Sequence, residues 1–314
     1  MKRFLLILII FSGSQTIFSQ DYSWWNDLHN WDGISSWREY IIYSPSYMGP
    51  NALPVPEFNT GRFSEEFEFE VGGAYHASTG DQTANLFTNL NLAIAPGIAG
   101  VNLSYVPYEV YSMDIETRDL RRARDLDPSG KSYGDFYITT YVQVIKDKEN
   151  FPDIMLSVNL KTSSGTNLGN ARNTDAPAYY FDLSLGKNIA SNRANLKYWR
   201  PYFMGGFFSY QTNRDDYVQN DAILYATGIL LEGERLRLDT GLGGYYGYFG
   251  NGDRPFVYRM EVASAGESRV NYKLRFQTGV NDWQYTSIGF SALLTFSRPG
   301  WIVSDRKGNG ERLE

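Results

Sequence analysis

The sequence predicts an all-β chain: a transmembrane, antiparallel, up-and-down β-barrel of about twelve strands behind a short Trp-rich, partly helical N-terminal segment. Three observations carry that expectation. Apolar and polar residues alternate with a period of two through most of 62–297, tyrosine and phenylalanine crowd the ends of the alternating runs, and the connections between runs are long and short by turns. Composition agrees. The 314 residues include 24 Tyr, 19 Phe, 7 Trp and 30 Gly, at a mean hydropathy of −0.39. A chain this polar on average is not a helical membrane bundle, which needs several apolar runs of about 20 residues. A chain this rich in rings is not disordered. The absence of Cys excludes thiol catalysis, disulfides, Cys-based zinc sites and lipid acylation, and 2 His leave little room for a multi-His metal centre. A net charge of −6 argues against nucleic acid as a partner.

The first element is a targeting segment. Met1-Lys2-Arg3 is basic, Phe4 to Phe11 is apolar and too short to span a bilayer, and Ser12 to Gln20 is small and polar. Residues 1–19 therefore read as a secretory signal peptide cut after Ser19, so the chain is exported. Residues 20–61 follow as a Trp-rich periplasmic or plug segment, with Trp24, Trp25, Trp31, Trp37 and Tyr40, then a Pro-rich run from Met48 to Pro56. Ser35-Ser36-Trp37-Arg38-Glu39 has the form of a helix start with a serine cap. These rings are too apolar for a free tail. They plug the barrel, lie at the membrane face or bind an envelope partner.

From 62 to 297 the strands follow. In Glu66 to Val71 every odd residue is apolar and every even one acidic. Leu86, Leu90, Leu92 and Ile94 share a face opposite Asn89 and Asn91. Ile138, Val142 and Val144 oppose Tyr137, Thr139 and Tyr141, and Ile154, Leu156 and Val158 oppose Ser157 and Asn159. The same holds for Phe181, Leu183 and Leu185, for Leu236 and Leu238, for Phe256 to Val262, for Val270 to Phe276 and for Ile288 to Phe296. Three less regular runs, near 99–113, 198–210 and 222–231, bring the count to twelve. Such strands suit either a soluble sandwich or a membrane barrel. Rings near the strand ends favour the barrel, because they suit two interfacial girdles: Tyr105, Tyr108, Tyr111, Tyr179, Tyr180, Tyr245, Tyr246, Tyr248 and Phe249, with Trp199, Tyr202 and Trp283. Connection lengths agree. With a periplasmic N-terminus the outer loops include 114–132 and 164–177, whereas inner turns such as 95–100 and 232–235 are shorter. Residues 298–314 remain as a C-terminal periplasmic tail.

The signal peptide, the alternating strands from Glu66 to Phe296 and the aromatic-rich ends resemble Gram-negative outer-membrane β-barrel proteins, over roughly three quarters of the chain. The signal is architectural, and no particular member is implied. The resemblance implies outer-membrane lipid and the barrel assembly machinery as partners. One departure is that Phe296 is followed by a tail, whereas many such barrels end on an aromatic residue.

Charge on the inward face is the candidate functional feature. The pore-lining residues expected from parity are Glu66, Glu68 and Glu70 early, Asp135, Lys161 and Asp182 midway, and Arg237, Asp239, Arg259, Glu261, Lys273 and Arg275 late. Closure brings the last strand to the first, so acidic and basic walls approach one another. They act either as a transverse field that selects solutes or as a salt-bridged filling. Twelve strands lie between the solid eight-stranded barrels and the wide channels of 16–18.

Catalysis has one weak candidate. His76-Ala77-Ser78-Thr79-Gly80 resembles the His-x-Ser-x-Gly pattern of outer-membrane phospholipases and lipid A deacylases, in which the His activates the Ser. Thr79 stands where that family has Asn, and parity turns His76 inward, away from lipid. Asn167, Asn170, Asn173 and Asp175 form an oxygen-rich loop of the kind that can hold Ca²⁺, though such stretches are more often plain turns. No cofactor and no metal are expected. The expected function is a non-enzymatic narrow channel for small solutes with a charged lumen. The alternatives are a structural or partner-binding member of an envelope complex and, less favoured, a lipid esterase using His76 and Ser78.

Overall fold

The computed structural model describes residues 21–266 and 268–296. The signal peptide and the tail from 298 lie outside the described residues. Residues 21–35 form a short unit of their own. Helix α1 (Ser23–His29) ends at Asn30, whose left-handed backbone (φ 51°) turns its N–H back to the Asn26 carbonyl. Trp25 meets His29 edge-on at 5.2 Å, and Trp31 Nε1 donates to the Ser35 carbonyl at 2.9 Å.

In the second unit, from Ser36 onward, twelve strands form the wall: β1 (Phe67–Ser78), β2 (Asp81–Ala95), β3 (Ala99–Met113), β4 (Phe136–Ile145), β5 (Asp153–Lys161), β6 (Ala178–Gly186), β7 (Leu196–Gln211), β8 (Gln219–Gly233), β9 (Leu236–Gly247), β10 (Phe256–Ser264), β11 (Val270–Asn281) and β12 (Thr286–Phe296). Each pairs antiparallel with its neighbours in sequence, and β12 closes on β1 from Phe67↔Phe296 to Ala77↔Thr286. Closure leaves no free sheet edge, as a bilayer requires. Helix α2 (Ile115–Leu120) sits in the β3–β4 loop, capped by Asp114, whose carboxylate accepts the Thr117 N–H at 2.7 Å.

The pleat sends alternate side chains to opposite faces. Phe69, Val71, Leu86, Ile138, Val142, Phe181, Leu183, Leu274, Phe290 and Leu294 all stay exposed on the outer face. So wide an apolar surface belongs against lipid. The barrel is thus membrane-spanning, with long loops at 114–135 and 162–177 at one end and short turns such as 96–98 and 234–235 at the other.

The aromatic girdle needs correction. Tyr179, Tyr246, Tyr248 and Phe249 are exposed, but Tyr111, Tyr202, Tyr245 and Trp283 are buried inside, and Tyr180 packs against the interior cluster. Adjacent rings such as Tyr245 and Tyr246 fall on opposite faces, so crowding at a strand end does not report which way a ring points. The irregular runs have a related cause. On β7 and β8 the inward residues Met204, Phe208, Ala222, Leu224 and Ala226 are themselves apolar and buried. What they pack against is the N-terminal segment.

Candidate functional site

Residues 37–66 thread the barrel as an irregular strap. At the long-loop end a 3₁₀ turn, Trp37–Tyr40, is capped by Ser36, whose hydroxyl accepts the Arg38 N–H. Arg38 pairs with Asp175 at 2.9 Å, Arg124 lies 5.2 Å from the Trp37 ring centre, and Asn213 donates to the Tyr43 hydroxyl at 2.7 Å. Ile41, Tyr43, Met48, Ala52 and Leu53 then bury against the apolar wall of β6–β9. The Pro-rich stretch suits this path, since prolines lack the N–H a strand would need. Lower down, Arg275 grips Glu57 with two bonds of 2.7 and 2.6 Å, while Arg259 donates to the Val55 and Pro56 carbonyls at 3.1 Å each. Asn59 donates to Asp182 at 3.0 Å and to Ser157 at 3.2 Å. Arg62 reaches Asp153 at 2.6 Å at the short-turn end, and β1 begins at Phe67. Of the places the sequence leaves open to this segment, periplasmic or plug, residues 37–49 lie inside the barrel. They sit at the long-loop end, because the apolar wall that buries them is continuous with those loops. Trp24, Trp25 and Trp31 belong to the separate 21–35 unit, whereas Trp37 and Tyr40 belong to the strap.

Three loops lock above the strap on one carboxylate. Asp81 Oδ2 accepts from Arg121 Nη1 at 2.6 Å, Arg172 Nη1 at 2.7 Å and the Tyr285 hydroxyl at 2.6 Å. Arg172 also donates to Glu109 at 2.8 Å and to Thr83 at 2.8 Å, and its guanidinium lies 4.4 Å from the Tyr111 ring centre. Burial would lower the Arg172 pKa, but Glu109 and Asp81 reverse that and raise it, so the guanidinium stays charged. Asn170 and Asn173 spend their amide N–H groups tying the 162–177 loop to Tyr111 and Ser132. Asp175 is the partner of Arg38, so these loop residues act as fasteners in this structure.

The charged residues expected from sequence fall as follows. Glu66 precedes β1 and is exposed at the short-turn end. Glu68 and Glu70 face the lumen, and Glu70 accepts from Ser291 at 2.6 Å and approaches Lys273 at 3.5 Å across β12. Asp135 and Lys161 pair at 2.6 Å below the long loops. Asp182 holds Asn59, Asp239 accepts from the Tyr202 hydroxyl at 2.8 Å, and Arg237 pairs with Glu232 at 2.6 Å at the lower rim. Arg259, Glu261, Lys273 and Arg275 form one network with Glu57. The cations of the late strands are each matched by a carboxylate, Lys273 by Glu70 and Glu261 and Arg259 and Arg275 by Glu57, whereas Asp182 and Asp239 are held by neutral groups. Glu57, Asn59, Arg62, Asp81, Glu109, Arg172 and Tyr285 were all missed by parity, since several lie outside the strands and none is part of a motif.

His76 and Ser78 are not brought together. His76 Nδ1 lies 2.7 Å from the Ser287 hydroxyl and Nε2 lies 2.7 Å from Asn85 Oδ1, so both ring nitrogens are occupied. The Ser78 hydroxyl donates to the Asp81 carbonyl at 3.4 Å.

Beside the strap a cavity of about 420 Å³ remains, running from Ser64, Glu68 and Asn91 at the short-turn end up to His76, Asn85 and Trp283. A second pocket of about 190 Å³ lies by Phe58, Tyr202 and Asp239.

The closed twelve-stranded wall and its lipid-facing surface define an integral outer-membrane β-barrel. No family model matches the chain, and no curated protein matches it by sequence. Among solved structures it is similar to an outer membrane channel from Pseudomonas putida F1, at TM-score 0.54 and 10% identity, covering 77% of this chain and 100% of that one. It also matches the β domain of the Bordetella autotransporter BrkA (TM-score 0.45, 12% identity, 75% and 100% covered) and the KdgM porin in complex with disordered oligogalacturonate (0.43, 9%, 73% and 99%). At these identities the likeness is one of fold.

Proposed function

We propose that the protein is a narrow, non-enzymatic channel for small solutes in the outer membrane, with its bore set by its own N-terminal strap. The observation that carries this reading is the polar cavity alongside the strap, which runs from the short-turn end to beneath the locked loops. In the strapped state Arg121, Arg172 and Asp81 tie the loops together across the long-loop end. Conduction therefore requires the strap or those loops to shift, and the lower strap is held by polar contacts that can exchange. The occupied ring nitrogens of His76 support the absence of an esterase pair.

The test is single-channel recording in planar bilayers. The full mature chain should give small, intermittent conductance. A strap-release variant, Glu57→Gln with Asn59→Ala and Arg62→Ala, should conduct more and stay open longer. Silence in both, with heat-modifiable gel migration showing an intact barrel, would end the channel reading. It would favour a structural member of an envelope complex, a reading that the filled upper lumen also supports.

A further inference from the structure

We propose that the 420 Å³ cavity is a binding site for an uncharged, polyhydroxylated small molecule of mono- or disaccharide size, entered from the short-turn end. The cavity exists because the β12–β1 seam carries small inward residues, Ala74, Ser287, Gly289 and Ser291, while the strap packs on the opposite wall. Its volume lies within the range of small-molecule sites. Exposed Ser64 marks its mouth. At its far end the lining includes His76, held between Asn85 and Ser287.

The lining selects for neutral polar chemistry. Every cation on it is already matched. Arg275 is taken by Glu57 and Glu261, Arg259 by Glu57 and two strap carbonyls, and Lys273 by Glu70 and Glu261. An anion would have to break a pair to gain one. Of the carboxylates on the lining, Glu57, Glu70 and Asp135 are paired with Arg275, Lys273 and Lys161, and Glu68 stands near the mouth beside Ser64. The unmade groups deeper in are neutral. Asn159 is 2% exposed, and its Oδ1 has no hydrogen-bond partner among the described residues. The Tyr137 hydroxyl on the adjoining strand has none either, and both residues line the cavity. A buried acceptor and a buried hydroxyl left unmade are costly, and a ligand hydroxyl satisfies each. Asn102 and Ser104 add further amide and hydroxyl groups to the lining, and the rings of Tyr141, Tyr180 and Phe87 give it apolar aromatic surface of the kind that takes the C–H side of a sugar ring.

The site is an equilibrium binding site, so it does not depend on conduction. The test uses the purified full mature chain in lauryldimethylamine oxide, with maltose and sucrose as probes and citrate and glutamate as charged comparators, read by saturation-transfer NMR. Sugar signals should appear at millimolar probe and the comparators should give none. Asn159→Ala and Tyr137→Phe should each weaken binding by about tenfold, the loss of one buried hydrogen bond. Gly289→Leu should abolish binding by filling the cavity. A Cβ at Gly289 would meet its nearest neighbours at an unstrained 3.5 Å, and heat-modifiable migration is the check that the variant barrel folds. If Gly289→Leu fails to fold, Tyr137→Phe keeps the ring and decides alone. No sugar signal, sugar binding indifferent to these variants, or preference for citrate or glutamate would each overturn the proposal. Sugar binding by a chain silent in bilayers would leave this site standing and remove only the channel.

Discussion

The two halves of the barrel interior are built on different chemistry from the same pleat. Toward the long-loop end of β6–β9 the inward face is apolar and buried, with Met204, Phe208, Leu224 and Tyr245 closing on Ile41, Met48 and Leu53 of the strap, and only lower down does it turn polar at Asp182 and Asp239. On β1–β5 and β10–β12 it is polar, with Glu70, Asn89, Asn159, Lys273 and Arg275 around open space. The first half behaves as a protein core that happens to lie inside a barrel. The second is a polar lumen with space left beside the strap. The same wall thus both anchors the strap and leaves a passage beside it. A barrel interior is therefore legible as plug-facing or solute-facing from the residues that point inward, strand by strand.

That contrast can be broken most severely at the lock above both halves. Arg172→Ala leaves Asp81 and Glu109 buried with a lost partner, and should cost about 3–5 kcal/mol. The loop end should melt first, seen as a lowered midpoint of heat-modifiable migration and faster hydrogen exchange in 162–177. Next comes the plug-facing wall. A Cβ at Gly243 would fall 2.6 Å from both Phe58 and the Ala226 Cβ, so Gly243→Val should cost about 1–3 kcal/mol and expel the strap. Limited trypsinolysis should then cut at Arg62, which the pair with Asp153 should protect in the parent chain. Gly289→Ala, the matching change on the solute-facing wall, should stay within about 0.5 kcal/mol of the parent in the same melting assay, because nothing is compressed. Equal effects at the two glycines would erase the distinction between the halves.

A local pH effect sharpens the picture at the rim. Accepting the Thr117 N–H holds the Asp114 carboxyl below its ordinary range. A depressed carboxyl contributes stability above its unfolded pKa and loses it as pH falls through the folded value. Amides of α2 should therefore lose hydrogen-exchange protection only below about pH 4, and Asp114→Asn, which keeps a cap, should flatten that response. The smallest expected effect is Ser78→Ala. It should change stability by less than about 0.5 kcal/mol and leave phospholipid and lipid A cleavage at the blank, in an assay of the detergent-purified chain. Turnover abolished by that change would reopen the esterase reading.

How far the sequence reached can be judged element by element. The runs Phe67–Ser78, Phe136–Ile145 and Thr286–Phe296 were legible because the pleat writes side-chain direction into every second residue. Even the irregular runs at β7 and β8 carried information, since their broken alternation marks the wall with apolar residues on both faces. The candidate site was legible only in part. Parity placed Glu70 and Lys273 on approaching walls, yet it had no access to Glu57, which neutralises Arg275 from a segment with no period at all.

Local covalent geometry thus determined by itself the strand count, the faces of the regular strands and the closure of a barrel with an apolar exterior. Only the tertiary structure decided which rings point inward, that residues 37–66 thread the lumen, and where space is left for a solute. Those features rest on contacts such as Arg172 with Asp81, 91 residues apart in sequence, or Arg275 with Glu57, 218 apart. Such pairs leave no periodic trace, because a buried charge selects its partner by distance and desolvation in the folded chain rather than by spacing along it.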